Sequence, residues 1–169
     1  MGGDRRPAAV LWDMDGTLVD TEPYWIASEH TLVAEFGGTW TDDDAHSIVG
    51  FDLLDAAVEL RDRGGVRLEP VQIVERLLDS VIAMASAELP WRVGARELLA
   101  ELRDAGVPTA LVTMSVRRMA EHIAGQLGFD GFDTVVSGDD VTHAKPHPEP
   151  YLIAAQRLGV DPAACIAIE

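Results

Sequence analysis

The chain has 169 residues, with 29 Asp plus Glu against 13 Lys plus Arg and a formal net charge of −16. That length fits about one domain with room for a small insertion, and 47% hydrophobic against 25% charged residues is ordinary for a globular protein. The charge argues against a nucleic acid or an anionic membrane surface as partner, because both require a basic face and no basic cluster occurs.

An anionic substrate would need a cation to screen the acids around it, most simply a metal. Of the basic residues only Lys145 is a lysine, and Cys165 is the single cysteine. No intrachain disulfide can form, which fits a reducing, cytoplasmic compartment. The polar start up to Pro7 and the early stop of the next apolar run at Asp13 leave no signal-peptide core. No run approaches the ~20 apolar residues of a membrane span.

In chain order, residues 8–12 (AAVLW) read as a short buried strand that ends on Asp13. From about Glu22 to Glu88 the pattern is helical. Ile26, Leu32, Val33 and Phe36 fall at helical spacing. Thr41 before Asp42–Asp44 reads as an N-cap with an acidic first turn. Leu53, Leu54, Ala57, Val58 and Leu60 form a second stripe, stopped by Gly64-Gly65, and Pro70 opens a third helix through Ile82. After Pro90 helices and strands alternate: helix 94–105, strand 107–113, helix 116–127, strand 132–137, helix 150–158 and strand 165–168. Such alternation predicts parallel βαβ units. The expected fold class is therefore α/β, a Rossmann-like parallel sheet of residues 1–20 and 89–169, with an inserted all-helical cap over 21–88. The last strand reads as buried and the sequence stops just after it, so the chain is expected to be part of a longer core.

Chemistry-bearing residues gather at predicted strand ends, where α/β proteins bind ligands. Asp13 closes the first strand, Asp15 follows two residues on, and Gly16 relieves the turn. Two such carboxylates suit a nucleophile and a proton shuttle, and both can help hold a hard cation such as Mg²⁺. Thr113 ends the next core strand, where a hydroxyl beside helix N-terminal amides suits an anionic oxygen. Ser115 reads equally well as a plain helix N-cap. Lys145, in the Pro-rich stretch Lys145-Pro146-His147-Pro148, offers one ammonium to balance carboxylates and hold a phosphoryl group. Glu169 at the last strand's end would add an acid to a metal shell. The five histidines show no convincing zinc spacing and read as surface or helix residues. The four tryptophans read as packing.

Taken together, these residues resemble the haloacid-dehalogenase-like superfamily. Asp13-Met14-Asp15-Gly16-Thr17 looks like its first motif, Thr113 its second, Lys145 its third, and Ile168-Glu169 the start of its fourth. The helical block resembles the mobile cap of the branch holding β-phosphoglucomutase and sugar-phosphate phosphatases. The stretches 13–25 (DMDGTLVDTEPYW) and 145–151 (KPHPEPY) are similar to the hexitol and 2-deoxyglucose-6-phosphate phosphatases.

The resemblance implies that Asp13 attacks phosphorus to form an aspartyl-phosphate. Asp15 then protonates the leaving alkoxide and later activates water. Mg²⁺ would be held by the Asp13 side chain, the Asp15 carbonyl and the fourth-motif acids. Thr113 and Lys145 would hold phosphoryl oxygens, with backbone N–H groups around Met14, Gly16 and Met114. The family's fourth motif usually continues with Asp after the Glu, so a chain that truly ended at Glu169 would bind Mg²⁺ weakly.

The expected function is Mg²⁺-dependent hydrolysis of a small phosphomonoester, a sugar or polyol phosphate, by a monomer or weak homodimer. The alternatives are a phosphomutase and an inactive fragment or binding module. The mutase branch carries a His where this chain has Trp25, and the helical block contains no Lys. A phosphonatase would need a cap Lys, and a dehalogenase does not use a second Asp at position 15. Gly50 is followed by Phe51 and Asp52 rather than a basic residue, so the substrate's distal end is expected not to be strongly anionic.

Overall fold

The computed structural model describes residues 6–169, so the first residues of the expected core segment 1–20 lie outside the described residues. The chain divides into two compact units, one of the chain up to Asp20 together with Pro90–Glu169, the other Thr21–Leu89.

The first unit is built on a four-stranded sheet of β1 (Ala9–Trp12), β2 (Thr109–Val112), β3 (Thr134–Val136) and β4 (Cys165–Ile168). All pairings are parallel, in the order β3-β2-β1-β4. A parallel sheet forms here because helical crossovers separate the strands: α5 (Ala95–Asp104), α6 (Arg117–Gly125) and α7 (Glu149–Leu158). β1 and β2 are apolar and buried along their whole length, as strands covered on both faces are. Side chains alternate between faces. Ala9, Leu11, Ala110, Val112 and Val136 pack with Ala154 of α7 on one face. Trp12, Leu111, Leu99 of α5 and Met119 and Ile123 of α6 are also fully buried.

One expectation for this unit changes. β2 and β3 are shorter than read: Val107-Pro108 and Phe132-Asp133 lead into the ladder as irregular chain, although the Pro108 carbonyl already accepts from the Val10 N–H and the Asp133 N–H donates to the Thr109 carbonyl. β4 pairs with β1, and Ile166 is 51% exposed.

The second unit is all-helical: α1 (Glu22–Glu35), α2 (Asp42–Ser47), α3 (Leu53–Asp62) and α4 (Pro70–Ala87). α1 and α3 both pack on α4. Leu32, Val33, Trp40, Leu60, Ile73 and Leu77 form its buried core, with Trp25 partly buried against it. Thr41 starts α2 as the sequence predicts. Its hydroxyl accepts from the Asp44 N–H, and the Asp44 carboxylate accepts in return from the Thr41 N–H, a reciprocal capping box. Pro70 sits in the first turn of α4, where a missing N–H costs nothing. Glycine is required at the close approach of two chain turns: a Cβ on Gly38 would lie 2.0 Å from the Gly64 carbonyl oxygen.

Candidate active site

The carboxyl ends of β1, β2 and β4 place three predicted residues side by side. The ladder continues one residue past each strand: the Asp13 N–H bonds the Ile168 carbonyl, and the Thr113 N–H bonds the Val136 carbonyl, both at 2.9 Å. Asp13, Thr113 and Glu169 therefore leave the sheet at one edge, where side chains escape the packed layers. Beyond Asp13 the chain turns at once. Gly16 takes a left-handed backbone (φ 82°), and the Met14 carbonyl accepts from the N–H groups of Thr17, Leu18 and Val19.

Lys145 ties this edge together. Its ammonium donates to Asp13 Oδ1 at 2.7 Å and pairs with Glu169 Oε1 at 2.6 Å. It also lies 4.9 Å from the centre of the Tyr151 ring. The Lys145 and Asp13 side chains are mostly buried, 17% and 19% exposed, so their pairing is poorly screened by water. Burial pulls the ammonium pKa down, but the bonds to Asp13 and Glu169 more than offset it and leave Lys145 above its ordinary value. Glu169 falls below its ordinary value because Lys145, then Tyr151, bond its charged form. The Tyr151 hydroxyl donates to Glu169, and burial followed by that carboxylate pushes the phenol up to about 12.

Asp15 faces a second group of partners. Its Oδ2 accepts from the Ser115 hydroxyl at 2.7 Å and lies 3.4 Å from Thr113 Oγ1. Thr113 Oγ1 in turn accepts from the Ser115 N–H at 3.0 Å. The loop around Lys145 is seated by its own N–H, 3.3 Å from the Met114 sulfur.

The structure thus brings together Asp13, Asp15, Thr113, Lys145 and Glu169, with Met14 and Met114 in the adjoining loops. Gly16 differs from expectation in one respect. Its N–H donates to the Val19 carbonyl at 2.7 Å, so in this geometry Gly16 shapes the turn rather than offering an amide to a ligand. Ser115 also differs from a plain N-cap. Val116 occupies the cap position of α6 with no side-chain cap, and Ser115 turns to Asp15 instead.

Ser115 and Tyr151 are the residues sequence reasoning missed. Ser115 could have been found as a second hydroxyl two residues past Thr113. Tyr151 is the third residue of α7, six positions past Lys145 in sequence, a separation that carries no periodic signal.

The donor set suits a hard cation. Asp13 and Glu169 offer carboxylate oxygens at adjacent strand ends, the donor type such a cation takes. In this geometry the two carboxylates are gathered around the Lys145 ammonium.

Residues 7–169 match the haloacid dehalogenase-like hydrolase family. Hexitol phosphatase B of Escherichia coli strain K12 is 29% identical, over 100% of this chain and 78% of its own length. Pyrophosphatase PpaX of Bacillus velezensis is 35% identical, over 98% of this chain and 75% of its own. Among solved structures, a putative β-phosphoglucomutase from Thermotoga maritima superposes with a TM-score of 0.78 at 29% identity, over 94% of this chain and 74% of that one. The chain thus spans about three quarters of the length of these relatives. With the parallel sheet, the strand-end acids and a match over nearly its whole length, the chain belongs to the haloacid dehalogenase-like hydrolase family.

Proposed function

We propose that the chain is a Mg²⁺-dependent phosphatase acting on a small phosphomonoester, a sugar or polyol phosphate, through an aspartyl-phosphate on Asp13. The observation that carries this reading is the mostly buried Lys145 ammonium between Asp13 and Glu169, with Asp15 held by Ser115 beside them. A phosphate monoester brings negative charge to a strongly acidic chain, and Lys145 supplies the compensating cation at the nucleophile itself.

In the first half-reaction a carboxylate oxygen of Asp13 bonds to phosphorus as the ester oxygen leaves. Asp15, protonated at that moment, gives its proton to the leaving alkoxide. In the second, Asp15 takes a proton from water, the water oxygen bonds to phosphorus, and the Asp13–phosphorus link breaks to release phosphate. Lys145 meets a phosphoryl oxygen, and Thr113 presents its hydroxyl to another. Mg²⁺, held by the Asp13 and Glu169 side chains and the Asp15 carbonyl, would neutralise phosphoryl charge. By the resemblance, the helical unit Thr21–Leu89 is assigned as the cap domain. The named activity of hexitol phosphatase B supports a polyol or sugar phosphate as substrate. Trp25 packs against the core of the helical unit, which does not favour a proton-relay role for that position and so weighs against a mutase. The single cysteine supports a cytoplasmic setting.

Acid-quenched single turnover with a hexitol phosphate tests the reading. A phosphoryl group on the peptide carrying Asp13, absent in Asp13→Asn, is expected. Phosphate release with no labelled peptide would point to direct attack by water and overturn the mechanism. Faster turnover of inorganic pyrophosphate than of hexitol phosphates would overturn the substrate class.

A further inference from the structure

The loop between β3 and α7 carries a second constellation that the proposed chemistry does not use. His143 and His147 flank Lys145 in sequence, and Glu149 opens α7. The two imidazole rings lie 4.6 Å apart, centre to centre, tilted by 33°. One nitrogen of each ring and a Glu149 carboxylate oxygen all fall within 4.8 Å of one another. Glu149 is held in place rather than waving in solvent. Its Oε1 accepts from the Thr142 N–H at 2.7 Å, and its Oε2 accepts from the His143 N–H at 3.1 Å and pairs with His143 Nδ1 at 2.6 Å. His147 Nδ1 accepts from the Glu149 N–H at 3.2 Å.

We propose that His143, His147 and Glu149 form a transition-metal site, separate from the strand-end carboxylates, that takes a borderline divalent cation of the Zn²⁺ class. Two imidazoles and one carboxylate are a three-ligand set that Zn²⁺ accepts, with water in the fourth position. Mg²⁺ prefers oxygen throughout, so this set discriminates against the ion expected at Asp13. Tetrahedral ligation at about 2.0–2.1 Å spaces donor atoms about 3.3 Å apart. His143 and His147 are exposed, so rotation of their side chains is the movement that would close the set to that spacing. The sequence hides the site because its ligands sit in a proline-rich loop, where no helical or strand period marks them.

The site's consequence is local. Its ligands bracket Lys145 in the chain, so a bound ion would close the loop that presents the ammonium to Asp13. This consequence rests on the proposed function, but the binding itself does not.

Calorimetric titration of the protein with Zn²⁺ in a large excess of Mg²⁺ tests the site. Excess Mg²⁺ occupies weak carboxylate positions, so one Zn²⁺ per chain is expected. His143→Ala and His147→Ala should each weaken binding at least about tenfold, with circular dichroism unchanged, while Asp13→Asn should bind as the unaltered protein does. Co²⁺ as a spectroscopic probe should show the intense visible bands of a four- or five-coordinate nitrogen–oxygen site, lost in the histidine variants. Zn²⁺ binding that survives both histidine substitutions, or that disappears in Asp13→Asn, would overturn the proposal. Turnover measured in parallel keeps the two readings apart: a protein inactive on phosphate esters that still binds Zn²⁺ through His143 and His147 removes the function and leaves the site.

Discussion

At the scale of single residues, Lys145 is the charge on which the candidate site turns. One ammonium meets two carboxylates and an aromatic face. Replacing it with methionine keeps the stem but removes the charge that balances Asp13 and an incoming phosphoryl group. The expected result is a loss of kcat by about 10²–10³, read from steady-state phosphate release, with the fold retained by circular dichroism. Unchanged kcat in Lys145→Met would remove Lys145 from the site.

Asp140 makes the complementary case for stability. Its carboxylate joins Arg117 of α6, Arg157 of α7, and the N–H and hydroxyl of Ser137 after β3. Burial raises its pKa, yet Arg157, Ser137 and Arg117 outweigh burial and hold it far below the ordinary 3.8. A folded-state pKa below the unfolded one gives stability that is present above 3.8 and is lost as the pH falls through the folded value. Asp140→Asn should therefore cost about 2 kcal/mol at neutral pH, and the gap to the unaltered protein should narrow as the pH drops below 3.8. Urea melts across that range measure it, and a gap that stays constant would mean the charge contributes nothing.

At the scale of elements, the sequence was legible wherever local chemistry decides the structure. Thr41 with Asp44 marked the start of α2, and Pro70 marked α4. The apolar runs ending on Asp13 and Thr113 marked β1 and β2, and parallel pairing then carried both residues to one edge. Legibility failed where tertiary position decides. Ser115 carried the signature of a cap, and only the approach of Asp15 across the sheet edge gave it another partner. His143, His147 and Glu149 converge through a loop whose path no periodicity predicts.

Two element-scale outcomes follow from the helical unit. Thr41→Ala removes half of a capping box and should cost about 1 kcal/mol in a denaturant melt. Gly38→Ala should cost more, about 2–3 kcal/mol, because the clash is with the Gly64 backbone rather than with a movable side chain. If Gly38→Ala proved no worse than Thr41→Ala, the close approach of those two turns would be wrong.

At the scale of the whole molecule, acids outnumber bases by more than two to one. Most of the ion pairs are exposed and individually worth about 0–1 kcal/mol, whereas the repulsion among the excess acids acts over the entire surface. Screening should therefore relieve more repulsion than attraction, and the urea midpoint is expected to rise with added sodium chloride. A falling midpoint would mean the specific pairs dominate.

The same charge balance shapes catalysis, since an anionic ester can settle on this acidic chain only where cations are concentrated, at Lys145 and the proposed metal position. The most direct measurement is phosphate release from an aryl phosphate, with and without Mg²⁺, by the protein and by Asp13→Asn. Turnover that requires Mg²⁺ and vanishes in Asp13→Asn is the predicted result. Equal turnover by the two proteins would show that Asp13 is not the nucleophile and would contradict the account at its centre.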